Sequence, residues 1–193
     1  MQLAKFTSAF EKTDSVEGGW SNHASDRGGE TYRGVSRVFH PGCPIWPIID
    51  KYKVRDNFPA NLADVPELAV YVAEFYHVNF WKKIHLDKLS SQLIAEELYD
   101  TAVNCGTHFA VISLQRALNV TNQRKKHYPD LKVDGIIGSV TLSTTNRHWN
   151  KELLYNVLNV LQGNRYIELA EKRELNEDFV HGWFRTRLEF KPL

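Results

Sequence analysis

Apolar residues recur at a three-to-four spacing from the start of the chain: Leu3, Phe6 and Phe10, with Thr13 next in the same register. That period predicts an amphipathic helix. Its register runs on to Glu17, and Gly18-Gly19 supplies the backbone freedom that ends a helix. Residues 20–50, SNHASDRGGETYRGVSRVFHPGCPIWPIID without its first Trp, are rich in Gly, Pro, Ser and Asn. They predict turns, loops and a short hairpin around Asp26–Val35. Helix signals return at Asp64, a candidate cap, with Pro66 in the first turn, Glu67 placed for a capping box, and Leu68, Tyr71, Val72 and Phe75 as the stripe. Ser90 or Ser91 starts the next helix and Gly106 stops it; Thr107 caps another, through Leu118. A polar connection follows over 121–138, with Pro129 and the turn pair Asp134-Gly135. Further helices are predicted at 139–149, 151–173 and 178–189, the middle one carrying Leu154, Val157, Leu158 and Leu161 on one face. The fold expected is mainly α, with a small loop or β-hairpin lobe near the N-terminus. A division falls at 1–92 and 93–193, with helices on both sides sharing a core because no flexible linker intervenes.

At 193 residues the chain can bury a core without disulfides or metals. Its net charge of +1 gives no electrostatic case for nucleic acid. The run Arg124-Lys125-Lys126-His127 reads as a solvated loop, or as a contact for an anionic wall polymer. Cys43 and Cys105 allow one bridge or two thiols. The N-terminal stretch lacks a continuous apolar segment and a cleavage site, so no secretory signal is read, and no stretch reaches membrane-spanning length.

Glu17 is the residue that breaks a local rule. It continues an apolar stripe, where burial disfavours its charged form, and it stands at the predicted C-terminal end of a helix, where the dipole does the same. A carboxyl kept protonated near neutral pH is what glycosidic cleavage requires. Asp26, nine residues on, can direct a water or steady an oxocarbenium-like transition state, and Glu30 is its rival. The Thr31 hydroxyl can hold that water, and Gly28 and Gly29 let backbone approach a sugar. Trp20, Tyr32 and Trp46 are candidates for stacking on sugar faces or for packing, while Trp81, Trp149 and Trp183 are core candidates. Asn104 either faces a cleft or satisfies backbone. No pair among the eight histidines has metal-ligand spacing, so no metal or cofactor is expected.

The pattern E-x8-D-x4-T (Glu17, Asp26, Thr31) resembles the triad of phage-type lysozymes, one residue short in its second interval. The stretch EGGWSNHASDRGGETYRGVS, residues 17–36, is similar to glycoside hydrolase family 108, N-acetylmuramidases also called secretion activators, whose Glu-Gly-Gly motif carries the acid. DTAVNCG, LQRALNV and VDGIIGSVT, within 96–147, resemble the peptidoglycan-binding region that follows in that family. The resemblance implies a lysozyme-like helical fold, a catalytic region at 1–92, a peptidoglycan-binding-like region at 93–193, and cleavage of the β-1,4 bond after N-acetylmuramic acid with Glu17 as acid. Trp20, Glu30, Tyr32 and Asn104 are then the candidate substrate contacts. Peptidoglycan is the expected partner, a monomer the expected state. Action is expected at the cell wall or periplasm, after cytoplasmic synthesis and delivery by a holin or a secretion machine. A wall-binding or secretion-associated protein without catalysis, and a lytic transglycosylase, are the rival functions.

Overall fold

The computed structural model describes residues 3–14, 19–22 and 29–193. Its described helices are α1 (Phe6–Asp14), α2 (Ile45–Lys53), α3 (Pro66–Tyr76), α4 (Gln92–Cys105), α5 (Thr107–Val120), α6 (Ser139–Arg147), α7 (Lys151–Lys172) and α8 (Glu177–Arg187). Three two-residue strands, β1 (Trp20–Ser21), β2 (Thr31–Tyr32) and β3 (Val35–Ser36), form an antiparallel sheet in that order. The chain divides into two compact units, Phe10–Asn79 and Met1–Ala9 with Phe80–Leu193.

In the smaller unit the sheet is a turn-driven hairpin with β1 added. Thr31 pairs with Ser36 and Tyr32 with Val35. The two residues between them, Arg33 and Gly34, both have positive φ, 44° and 77°. That is the type I′ geometry whose twist matches paired strands. The Tyr76 hydroxyl of α3 donates to the Arg33 carbonyl at 3.0 Å and holds the turn. Val35, Ile45, Ile49, Leu68 and Val72 make a sealed core beneath it, each such side chain contributing about 1.5–3 kcal/mol.

Several expectations are corrected here. Residues 45–53 form a helix, not loop. Pro47 is its third residue, where the amide that proline lacks would have had no partner in the helix. Asp64 ends a short 3₁₀ turn (Ala60–Asp64), so α3 starts after Val65 with Pro66 at its first position and no side-chain cap or capping box. Leu3 is exposed and precedes α1, which buries Thr13, as the register predicts, and also Ala9. The expected run of that helix to Glu17, and the start of the expected hairpin at Asp26, lie outside the described residues.

The larger unit is a helical bundle in which α4, α5 and α7 pack on one another. Ser91 caps α4, accepting from the Ile94 amide at 3.4 Å, and Gly106 ends it at φ 92°. Thr107 is the first residue of α5 rather than its cap. The buried face of α7 is Leu154, Tyr155, Leu158, Asn159, Gln162 and Tyr166, with Val157 and Leu161 half-buried at its margin. The polar members are occupied. Gln162 donates to Asp100 at 2.7 Å, and Arg187 of α8 donates to the other oxygen of Asp100 at 2.6 Å. Asn159 accepts from the Glu189 amide at 2.9 Å, while Asn156 accepts from the Lys191 amide at 2.8 Å and donates to its carbonyl at 2.7 Å. Trp81 is core as expected, but Trp149 is 45% exposed and Trp183 half-buried, stacked on Tyr166.

The connection between α5 and α6 is organised by one buried amide. Gln115 donates to Asp134 Oδ1 and the Ile136 carbonyl, both at 3.0 Å, and accepts from the Asp134 and Gly135 amides at 3.0 and 2.9 Å. Gln115 thus ties the Leu114-Gln115 pair of α5 to the Asp134-Gly135 turn. Cys43 and Cys105 are free thiols. Burial raises the Cys105 thiol to about 12, so it is not a reactive thiolate.

Candidate active site

Strand β1 pairs with β2 within the 17–36 stretch. Trp20 pairs with Tyr32 and Ser21 with Thr31, so residues twelve and ten positions apart in the chain lie directly beside each other. Beside this pairing lies a groove of about 650 Å³. Gly19, Trp20, Tyr32 and Arg33 line one part of it; Pro59, Ala60, Leu62, Ala63, Val65 and Ala69 line the rest. A volume of this order suits a ligand of a few hundred daltons, and the small alanines leave the space open.

Trp20 is fixed at the groove by two contacts. Its ring meets Phe58 edge-on at 4.7 Å, and its indole N–H donates to Glu30 Oε1 at 2.8 Å. It is half-buried and therefore able to present apolar surface with a polar edge. Tyr32 is buried, and Trp46, at 1% exposure, is core: its N–H donates to the His40 carbonyl at 2.7 Å. Trp46 thus packs and does not stack on a ligand.

Glu30 is the hub of an ion cluster, with its side chain 10% exposed. Arg37 donates to it at 2.7 Å, and Lys53 of α2 contacts both oxygens at 2.7 and 2.8 Å. Arg37 also grips Asp50 with both terminal nitrogens, and Lys53 reaches Asp50 at 3.1 Å. The Arg37 guanidinium lies 5.2 Å from the Trp46 ring centre. Burial alone would raise the Glu30 pKa, but donation from Lys53, Trp20 and Arg37 outweighs it and holds the carboxyl below its ordinary value. Arg37, then Lys53, hold Asp50 far below the carboxylate range.

Both carboxylates therefore have folded-state pKa values below their unfolded ones. The stability they supply is fully present above about pH 4 to 5 and is lost as pH falls through the folded values. Denaturant titrations followed by tryptophan fluorescence should show stability falling below about pH 4, where these carboxylates take up protons. Glu30→Gln should show a shallower fall. An equally steep decline in that variant would show that the cluster is not the source.

Of the sequence-predicted site residues, Trp20, Glu30, Thr31 and Tyr32 are brought together at or beside the groove. The Thr31 hydroxyl donates to the Gly29 carbonyl at 3.2 Å, which leaves its lone pairs to accept. Asn104 lies in the other unit, in the last turn of α4, and its amide donates to the Asp100 carbonyl at 2.8 Å, the backbone-satisfying role. Glu17 and Asp26 lie outside the described residues. Arg33, Arg37, Asp50, Lys53 and the 59–69 wall were not anticipated. A separate cavity of about 410 Å³, lined by His40, Cys43, Tyr71, Glu74 and Phe75 among others, holds one carboxylate and no residue of the 17–36 stretch. Among the described residues no group of three His, Cys, Asp or Glu is arranged to hold a metal, and no helix is long and apolar enough to cross a membrane.

Comparison with known proteins agrees with this picture. A solved structure of Brucella abortus SagA has a similar fold, with a TM-score of 0.62 over 94% of this chain and 91% of that one, at 21% identity. At that identity the likeness is of fold: mainly α, lysozyme-like, with a small antiparallel sheet. No curated protein sequence matches the chain. The model of a family described as a predicted peptidoglycan domain matches residues 109–188, and that of glycosyl hydrolase 108 matches residues 10–106. The chain belongs to the glycosyl hydrolase 108 family and is a lysozyme-like glycoside hydrolase directed at peptidoglycan.

Proposed function

We propose that the chain is an N-acetylmuramidase. It hydrolyses the β-1,4 bond after N-acetylmuramic acid, with Glu17 protonating the leaving oxygen, Asp26 directing water or steadying the developing positive charge, and Thr31 helping to place that water. The observation that carries this reading is the pairing of Trp20 with Tyr32 and Ser21 with Thr31 at the edge of the groove. Gly19, two positions after Glu17 in the chain, lines that groove. Asp26 stands in sequence between Ser21 and Thr31, which pair. Glu30 is the weaker rival for the second carboxylate, because its oxygens are already held by Trp20, Arg37 and Lys53. The enzyme acts at the cell wall, delivered by a holin or a secretion machine.

Mass spectrometry of digested, purified peptidoglycan tests this. Muropeptides with reducing N-acetylmuramic acid ends are expected. Reducing N-acetylglucosamine ends would overturn the bond assignment, and anhydro ends would point to a lytic transglycosylase. Binding to walls without release of fragments would favour a non-catalytic wall protein.

A further inference from the structure

We propose that a cavity in the helical unit, distinct from both spaces described above, binds the free carboxylate of a peptidoglycan stem peptide. It has a volume of about 410 Å³ and is built from three segments: residues 83–85, the start of α5, and the loop that Gln115 pins. Lys83, His85, Thr107 and His108 supply its polar lining, and Ile84 and Ile137, both buried, give it apolar surface. No carboxylate lines it. Among the described residues, none of these four polar side chains has an ion pair or side-chain hydrogen bond. An ammonium group, two imidazoles and a hydroxyl around one space are thus unspent donors, a set that suits a carboxylate.

Two backbone features shape the site, at which Lys83 and His108 are exposed. A Cβ built on Gly135, at φ +73°, would fall 2.1 Å from the His108 ring, so the loop backbone lies directly against that imidazole. His85 is itself left-handed, at φ 55°. Ile136 also lines the cavity and is 69% exposed. Small apolar side chains next to a terminal carboxylate are what such a surface accommodates, and a short alanine-rich peptide ending in a free acid has that chemistry. A phosphate-bearing wall polymer presents the same charge without the apolar part.

This inference rests on peptidoglycan being the polymer the chain engages. Its test is calorimetric titration of the full chain with a soluble disaccharide-peptide, with the same compound amidated at every peptide carboxyl, and with inorganic phosphate. The free-acid compound should bind, and Lys83→Gln, His108→Gln or amidation should each weaken binding about fivefold or more. Lys172→Gln, the same charge change on α7 outside the cavity, should not. Absence of binding, equal binding by the amidated compound, no effect of either substitution, or phosphate binding more tightly than the peptide would each overturn the site. Cleavage of peptide-free glycan by the wild-type chain is scored separately. If it is absent the muramidase reading fails, while the titrations still decide the carboxylate site.

Discussion

Glu17→Gln is expected to lose wall-clearing activity by about a hundred- to ten-thousand-fold, the range over which a positioned general acid acts. Glutamine keeps the size and hydrogen-bonding reach of the side chain but cannot deliver a proton to the departing glycosidic oxygen. The loss should therefore appear in turnover, with wall binding and melting temperature unchanged. Asp26→Asn should be measured beside it. Full turbidity clearing by the Glu17→Gln protein would remove Glu17 from the mechanism, and the acid would have to be sought elsewhere in the chain.

The second large effect concerns stability. Glu30→Ala removes the acceptor shared by Trp20, Arg37 and Lys53. Two cations then face each other with Asp50, itself 46% exposed, as their remaining counter-charge. Breaking a buried ion pair from one side costs about 3–5 kcal/mol; partial solvent access here argues for roughly 2–3 kcal/mol. In a chain of this size that lowers Tm by roughly 5–10 °C. Trp20 also loses the bond that sets its ring at the groove, so clearing should weaken even at temperatures where the fold persists. Glu30→Gln, which still accepts from the indole, should lose less of both. A Tm within 1 °C of wild type, on the scale of about 2–4 °C per kcal/mol, would show that the cluster is decorative.

The long helices were legible because their signals are local. Ser91 and Gly106 bracket α4, and the three-to-four period of α7 is plain in the chain. Helix α2 was hidden by Pro44 and Pro47, which read as loop markers unless one knows that they stand at its start. The buried face of α7 was half legible: Leu154 and Leu158 follow the pattern, but Asn159 and Gln162 look like solvent residues until Glu189 and Asp100 are placed opposite them. The site divides the same way. Its motif is contiguous and so could be read. The cations that hold Glu30, Arg37 and Lys53, stand 7 and 23 positions further on, and no local rule links a carboxylate to charges that far along the chain. The groove wall at 59–69 carries no chemistry of its own to announce it.

The two asparagines of α7 have a consequence for how the end of the chain can vary. Asn156 and Asn159 grip residues 189 and 191 through main-chain amides and a carbonyl, much as a neighbouring strand would. A clasp of that kind is blind to side chains. The stretch after α8 can therefore drift in sequence while staying docked, provided that proline, which has no amide hydrogen to offer, stays out of positions 189 and 191.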